Sequence, residues 1–170
     1  MLGQAVAAIT LMLLGASGVA KVVDPDPTVG ALRAAGLPSA RSISRTLGVV
    51  ELAAAVLGLT AGTGGALIPA AALYAGFTIF VLVAVRGRIP VQSCGCFGRE
   101  DTPPSLIHVT YNATATVSLT WVALSGSAPL FTNATVIEIA LFAVFAASGA
   151  YASYLLLARL PQLLRHTVSS

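Results

Sequence analysis

The chain has 170 residues, of which 56% are hydrophobic and only 9% are charged. Ordinary soluble domains carry about a quarter charged residues, so this composition excludes a typical water-soluble globular protein and indicates that lipid surrounds most of the surface. The isoelectric point near 9.2 is no sign of nucleic-acid binding, because the nine basic residues form no basic helix face with interleaved aromatic side chains.

Five apolar blocks are long enough to cross a membrane, since a spanning helix needs about 20 mostly apolar residues. They cover approximately residues 2–20, 44–61, 66–85, 105–125 and 134–160. Helices are expected, because every backbone N–H and C=O group in hydrocarbon must be paired within its own segment. The sequence therefore predicts an all-α fold, a polytopic transmembrane bundle of five helices that forms one integral membrane domain over residues 1–170.

Glycine and proline mark the boundaries of these blocks. The run from Gly62 to Gly65 predicts a tight turn between the second and third helices, and Pro161 predicts the end of the fifth. The first block ends in Gly18-Val19-Ala20, which is similar to a signal-peptide cleavage site, but the positively charged segment that opens a signal peptide is missing. We expect the first block to be retained as a membrane helix.

The distribution of basic residues predicts the orientation of the bundle. With five helices, the first loop, the third loop and the C-terminus share one side of the membrane and hold all nine Lys and Arg residues. Cytoplasmic loops carry the Lys/Arg excess, so we expect a multi-pass plasma-membrane protein with its N-terminus outside and its C-terminus inside. The third loop, residues 86–104, then lies at the cytoplasmic face.

The only two cysteines of the sequence, Cys94 and Cys96, lie in this loop and are separated by Gly95. A disulfide between residues two apart needs a bent backbone, which glycine permits. The small ring would be strained, and strained disulfides are the more oxidising and exchange-active ones. Nearby arginines favour the reactive thiolate. We therefore predict a redox-active pair, with Cys94 and Cys96 as the catalytic residues.

Two other interpretations of the cysteine pair stay open. Zinc prefers four ligands, and Cys94, Cys96 and His108 supply three, with Glu100 or Asp101 as a fourth. Alternatively, the two thiols are structural or carry a lipid. The redox interpretation predicts no bound metal and no cofactor, and the sequence has no nucleotide-binding glycine motif.

Four polar residues are predicted to gather at the same membrane face as the cysteines. Lys21 ends the first helix, Glu51 lies about two turns into the second, and His108 and Asn112 lie about one and two turns into the fourth. Ionisable side chains inside membrane segments are costly and are functional candidates by default. In a functional interpretation Glu51 or His108 accepts the thiol proton. In a structural one, Lys21 and Glu51 form an ion pair and His108 is interfacial.

The motif Cys94–Gly98 resembles the signature of the MauE family of methylamine-utilisation membrane proteins. Other features agree in order: Gly15–Lys21 resembles the end of the family's first helix, Leu37–Pro38 lies in the following loop, and Glu51 lies early in the second helix, as in the related DoxX-like proteins. The resemblance covers roughly residues 1–121. It implies a four-helix MauE/DoxX-like core to which this chain adds a fifth helix.

The resemblance also implies a membrane protein that supports the maturation or redox balance of another protein, together with a thioredoxin-like or other redox partner. We predict thiol–disulfide exchange, in which Cys94 and Cys96 cycle between dithiol and disulfide. Two rival functions are a non-catalytic membrane assembly factor, whose cysteine loop only docks a partner, and a small-solute carrier that uses Glu51. Membrane lipid is an expected contact and nucleic acid is not.

Overall fold

The computed structural model describes residues 2–62, 64–87, 104–126 and 135–168, with side chains in these ranges from residue 3 to residue 159. The elements in chain order are α1 Leu2–Val23, α2 Asp26–Ala34, α3 Arg41–Ala61, a 3-10 turn Gly64–Leu67, α4 Ile68–Val85, α5 Leu106–Leu124 and α6 Val136–Val168. These ranges contain helices and no β-strand. The predicted all-α fold is confirmed.

The predicted five helices correspond to α1, α3, α4, α5 and α6, and the count is approximate because the structure adds α2. This helix has nine residues, too few to cross a membrane. It buries Thr28, Val29 and Ala31 while most of its other residues are exposed or half-buried, as in amphipathic helices at a membrane surface. The search for long apolar blocks misses it because it is short and only partly apolar.

Several predicted helix ends differ from the observed ones by two or more residues, and the end of α6 differs most. α3 begins at Arg41 rather than at residue 44, because charged residues that do not belong to an apolar block still extend a helix. α6 continues past Pro161 to Val168. A proline removes one backbone hydrogen bond from a helix and can bend it, but a long helix can continue beyond it.

Four helical segments in the described ranges are long and apolar enough to cross a membrane: Gly3–Val23, Arg41–Ala61, Gly64–Val85 and Val136–Arg159. α5 is less apolar, although its 19 residues give a length of roughly 28 Å at 1.5 Å per residue. Its buried face carries His108 and Asn112 together with Ala115 and Leu119. Polar groups that face the bundle lower the hydropathy of a helix without contacting lipid, so α5 stays our predicted fifth span.

The hydrophobic core lies where α1, α3, α4 and α5 meet, around Leu11, Leu14, Ala54, Tyr74 and Leu119. α1 is the central helix, since 56% of the residues in its apolar stretch are buried, against 11% of those in α6. α6 packs at the edge of the bundle against α1, and most of its side chains remain for lipid. The site described below lies between the central helix and its neighbours.

Helices α1 and α3 meet backbone to backbone at two glycines. A Cβ atom on Gly18 would lie 2.6 Å from the carbonyl oxygen of Gly48, and a Cβ atom on Gly48 would lie 2.6 Å from the carbonyl oxygen of Gly18. Glycine lets membrane helices approach this closely. Lys21 and Glu51 each follow their glycine by three residues, less than one helical turn. The glycine contact therefore brings these two side chains together.

We expect Gly48→Ala to lower the free energy of unfolding by about 1–3 kcal/mol, because the added methyl group forces two backbones apart. Gly76→Ala is the matched control, since Gly76 lies in the spanning helix α4 and a Cβ atom there meets nothing within 4 Å. A Gly→Ala substitution at such a helical position is neutral or raises the free energy of unfolding by about 0.4–1 kcal/mol. Thermal unfolding in detergent compares the two variants, and equal midpoints would contradict the close glycine contact.

Hydrogen bonds at the helix ends explain where α3 stops and α6 starts. Gly62 has φ +63° and its N–H donates to the carbonyl oxygen of Gly58 at 3.0 Å, which ends α3 in the left-handed conformation that favours glycine. At the start of α6, Glu138 accepts from the N–H and the hydroxyl of Thr135, both at 2.8 Å, and the Glu138 N–H donates back to Thr135 Oγ1 at 3.3 Å. This is a capping box.

Helix α2 is held beside the first turns of α3 by polar contacts. The guanidinium group of Arg41 donates to both carboxylate oxygens of Asp26, at 2.8 and 2.9 Å. The hydroxyl of Ser44, which is buried, donates to the carbonyl oxygen of Pro25 at 3.2 Å. These contacts hold the start of α2 against the first turn of α3.

Candidate functional site

The predicted polar residues of α1 and α3 form a buried ion pair. Lys21 Nζ lies 3.0 Å from Glu51 Oε2 and donates a second hydrogen bond to Ser17 Oγ at 2.6 Å. Lys21 is 3% exposed and Glu51 is fully buried. Glu51 is the eleventh of the 21 residues of α3, so it lies deeper than the predicted two turns. The ion pair of the structural interpretation is thus present, near the middle of a spanning helix.

The electrostatic balance of this pair is incomplete. Moving two charges out of water is costly and is offset only when the remaining polar atoms are also bonded. Lys21 Nζ has a further stabilising contact, 5.5 Å from the centre of the Phe77 ring. Glu51 Oε1, however, accepts no hydrogen bond from any described residue. Such exceptions among buried polar atoms are rare and often mark functional groups.

A small cavity with both polar and apolar lining lies between α5 and Ser17, the residue that bonds Lys21. Its volume is about 20 Å³, and Ser17, Tyr74, His108, Tyr111 and Asn112 are its polar lining residues. A space of this size and polarity suits about one water molecule. Because Ser17 both lines the cavity and bonds Lys21, the predicted supporting residues of three helices form one connected polar region inside the bundle.

His108 lies near the start of α5, as predicted, and its side chain is buried within the bundle, at 4% exposure. Its Nδ1 atom lies 2.8 Å from Ser105 Oγ, within hydrogen-bonding distance. Ser105 is the residue that precedes α5. Asn112 follows His108 by one turn on the same face and lines the same cavity.

The predicted catalytic residues, Cys94 and Cys96, lie outside the described residues, as do Glu100 and Asp101. The chain that contains them joins the end of α4 to the start of α5. His108 is in the first turn of the helix that follows this segment. The supporting residues are therefore described at atomic detail, while the roles of the two cysteines stay predictions.

Sequence reasoning missed four side chains of the site, namely Ser17, Tyr74, Phe77 and Tyr111. Ser17 carried a usable signal, since it precedes Lys21 by four residues and thus shares its helix face. Tyr74 and Phe77 carried no such signal in the sequence, because aromatic residues inside an apolar block are typical of ordinary packing. Tyr74 donates its hydroxyl to the carbonyl oxygen of Thr10 at 2.7 Å, which fixes α4 against α1.

Comparison with known families decides the relationship of this chain. A family model described as methylamine utilisation protein MauE matches residues 1–125. The chain belongs to the MauE family. The match covers the residues on which the resemblance was predicted and ends just after α5, so α6 lies beyond it. No curated protein and no solved structure shows a significant match.

Membership in the MauE family, together with the apolar helices of spanning length, identifies a multi-pass membrane protein that contacts lipid. The ion pair lies within the matched residues. So do the described residues that line the small cavity, apart from Leu157 of α6. In this MauE-family protein a carboxylate with an unbonded oxygen and a buried imidazole lie in one polar region. Both groups can accept and release a proton during a reaction.

Proposed function

We propose that this MauE-family protein is a thiol–disulfide oxidoreductase of the plasma membrane, in which Cys94 and Cys96 cycle between dithiol and disulfide. The cycle would support the maturation or redox balance of a partner protein with a thioredoxin-like or similar redox site. The observation that carries the proposal is the buried polar region: it holds two proton acceptors, Glu51 and His108, and α5, which bears His108, begins just after the cysteine segment.

The chemistry of exchange explains why such groups are useful. A thiolate attacks a disulfide sulfur, forms a mixed disulfide, and a second thiolate then releases it. Each full exchange moves two electrons and two protons between the Cys94–Cys96 pair and a dithiol of the partner. Because only the thiolate attacks, a group that takes the thiol proton speeds the first step, and we assign that role to Glu51 or His108. Lys21 holds the Glu51 carboxylate in place.

Acid-quenched thiol trapping in intact cells tests the proposal directly. We expect Cys94 and Cys96 to be recovered as a mixture of dithiol and disulfide that a brief treatment with reductant converts to dithiol. These are the chain's only cysteines, so a maleimide gel shift reports on this pair alone. The Cys96→Ser variant is the control, since it has no intramolecular partner for Cys94. A wild-type pair that stays fully reduced under oxidant would contradict redox cycling and favour a metal site or docking.

We also propose that the N-terminus lies outside the cell and that the C-terminus and the cysteine segment lie at the cytoplasmic face. The support is that all nine basic residues then lie on the cytoplasmic side. Reporter fusions at Thr63 and Ser170 should report outside and inside, respectively. An external Ser170 would contradict this arrangement. If Thr63 is external as well, the number of crossings before Ser170 is even, which would mean that α5 does not span.

A further inference from the structure

A second and larger cavity of about 480 Å³ lies between α2, α3 and α4. This volume is within the range of about 300–1,000 Å³ that small-molecule sites occupy. Twelve of the described residues line it; ten of these are apolar, and the two polar ones are Lys21 and Thr28. An apolar molecule with a small polar group therefore fits this cavity better than a polar solute does.

The cavity follows α4 over several turns, and Lys21 lies toward one end of that wall. Its α4 wall runs from Pro69 to Phe80, eleven residue steps that cover roughly 16 Å at 1.5 Å per residue. Lys21 Nζ lies 5.5 Å from the ring of Phe77, so the polar end is next to the Phe77–Phe80 part of this wall. The part near Pro69 has apolar lining. This shape suits a polar head followed by a hydrocarbon tail.

The charge at the polar end selects the kind of head. Among the described lining residues Lys21 is the one that carries a charge, and the carboxylate of Glu51 already balances it. An anionic head such as a phosphate would thus meet no uncompensated cation. An ammonium group has three N–H donors. Two donors of Lys21 bond Ser17 and Glu51, and the third has no acceptor among the described residues. A neutral carbonyl oxygen matches this donor.

The aromatic residues at the same end favour a ring. Phe77 and Phe80 both line the cavity there, and flat rings gain from offset or edge contacts with aromatic side chains. Phe77 also lines the small cavity next to α5. The Phe77 side chain therefore borders both the apolar cavity and the small cavity that His108 lines.

We propose that this cavity binds a lipid-soluble quinone, with a ring carbonyl on the Lys21 ammonium group, the ring against Phe77 and Phe80, and the tail along α4 toward Pro69. The inference rests on the proposed function, because a cycling thiol pair needs a two-electron acceptor. Oxidation of the two thiols forms the S–S bond and releases two electrons and two protons. The quinone takes up the two electrons and the two protons and leaves as the quinol, so the step is balanced.

Binding of decylubiquinone, a short-tailed quinone, to the purified full chain in detergent tests the proposal without any electron transfer. The protein carries Cys94→Ser and Cys96→Ser, so failure of the thiol chemistry cannot alter the result. Gly76→Leu is the test variant: Gly76 lines the cavity, and a Cβ atom there meets nothing within 4 Å. Gly30→Leu in α2 is the matched control, equally free of contacts and not a lining residue.

We expect saturable binding that Gly76→Leu weakens at least about tenfold, equivalent to 1.4 kcal/mol, and that Gly30→Leu leaves within about twofold. Ala72→Phe, another substitution in the lining, should act like Gly76→Leu and replaces it if that variant does not fold. Absent binding, equal affinities of the two leucine variants, or equal displacement by a decyl phospholipid would overturn the proposal. Thiol trapping of the wild-type chain judges the proposed function separately.

Discussion

Lys21→Met is expected to destabilise the bundle by about 3–5 kcal/mol, the usual cost of removing one partner from a buried ion pair. Methionine keeps the length of the lysine stem but leaves the Glu51 carboxylate, which is fully buried, without its cation at 3.0 Å. Thermal or denaturant unfolding in detergent measures the loss. Of the substitutions considered for this protein, this one should lower the stability most.

Three further variants show whether the buried charge causes that loss. Adding Glu51→Gln to Lys21→Met removes the unpaired charge and should restore most of the stability, whereas two independent effects would add. Glu51→Gln alone should cost less than Lys21→Met, because a lysine near a helix end can extend its ammonium group toward water. Arg41→Met breaks the exposed pair with Asp26 and should cost about 0–1 kcal/mol. Equal losses for Lys21→Met and Arg41→Met would contradict the assignment.

The second large effect is expected on function. Replacing Cys94 and Cys96 together by serine should reduce complementation of a deletion strain to the level of the empty vector, because serine cannot form a disulfide or a reactive thiolate. The comparison requires equal amounts of the wild-type and variant chains in the membrane fraction. Ser93→Ala is the matched control, since it changes the neighbouring residue without removing a thiol, and it should complement fully.

The same experiment separates the proposed oxidoreductase from its rivals. A double-serine variant that complements fully would refute thiol chemistry and support an assembly factor whose cysteine segment only docks a partner. A carrier that uses Glu51 would instead lose uptake with Glu51→Gln and keep it with the double-serine variant. The three functions thus predict different results for two sets of substitutions.

Much of the helical framework was predictable because its signal is local. Lipid requires long apolar segments with paired backbone groups, so the blocks at residues 2–20, 66–85 and 134–160 indicated helices directly. Helix α2 was not predictable in this way, since Asp26–Ala34 is short and becomes helical next to α3 through contacts such as Arg41 with Asp26. The end of α6 was likewise not predictable, since the sequence pattern did not show that the helix continues beyond Pro161 to Val168.

The candidate site was predictable in outline and not in its contacts. The order of the helices alone placed Lys21, Glu51, His108 and Asn112 toward one membrane face. That Lys21 reaches Glu51 depends on the contact of Gly18 with Gly48, which small residues in a sequence permit but do not specify. Phe77 and the apolar cavity depend on how α4 packs against α2 and α3, and no sequence pattern shows such a tertiary arrangement.

The buried ion pair also has a consequence for how the protein enters the membrane. Its two charges belong to different helices and are separated by 30 residues. An ionised side chain at the centre of a single membrane helix costs about 2.5–3.5 kcal/mol on insertion scales. During synthesis α1 emerges first, so Lys21 is already in place when α3 leaves the ribosome with Glu51. Biogenesis of α3 should therefore depend on α1 as a partner inside the translocon, and the first helix acts as an intramolecular chaperone for the third.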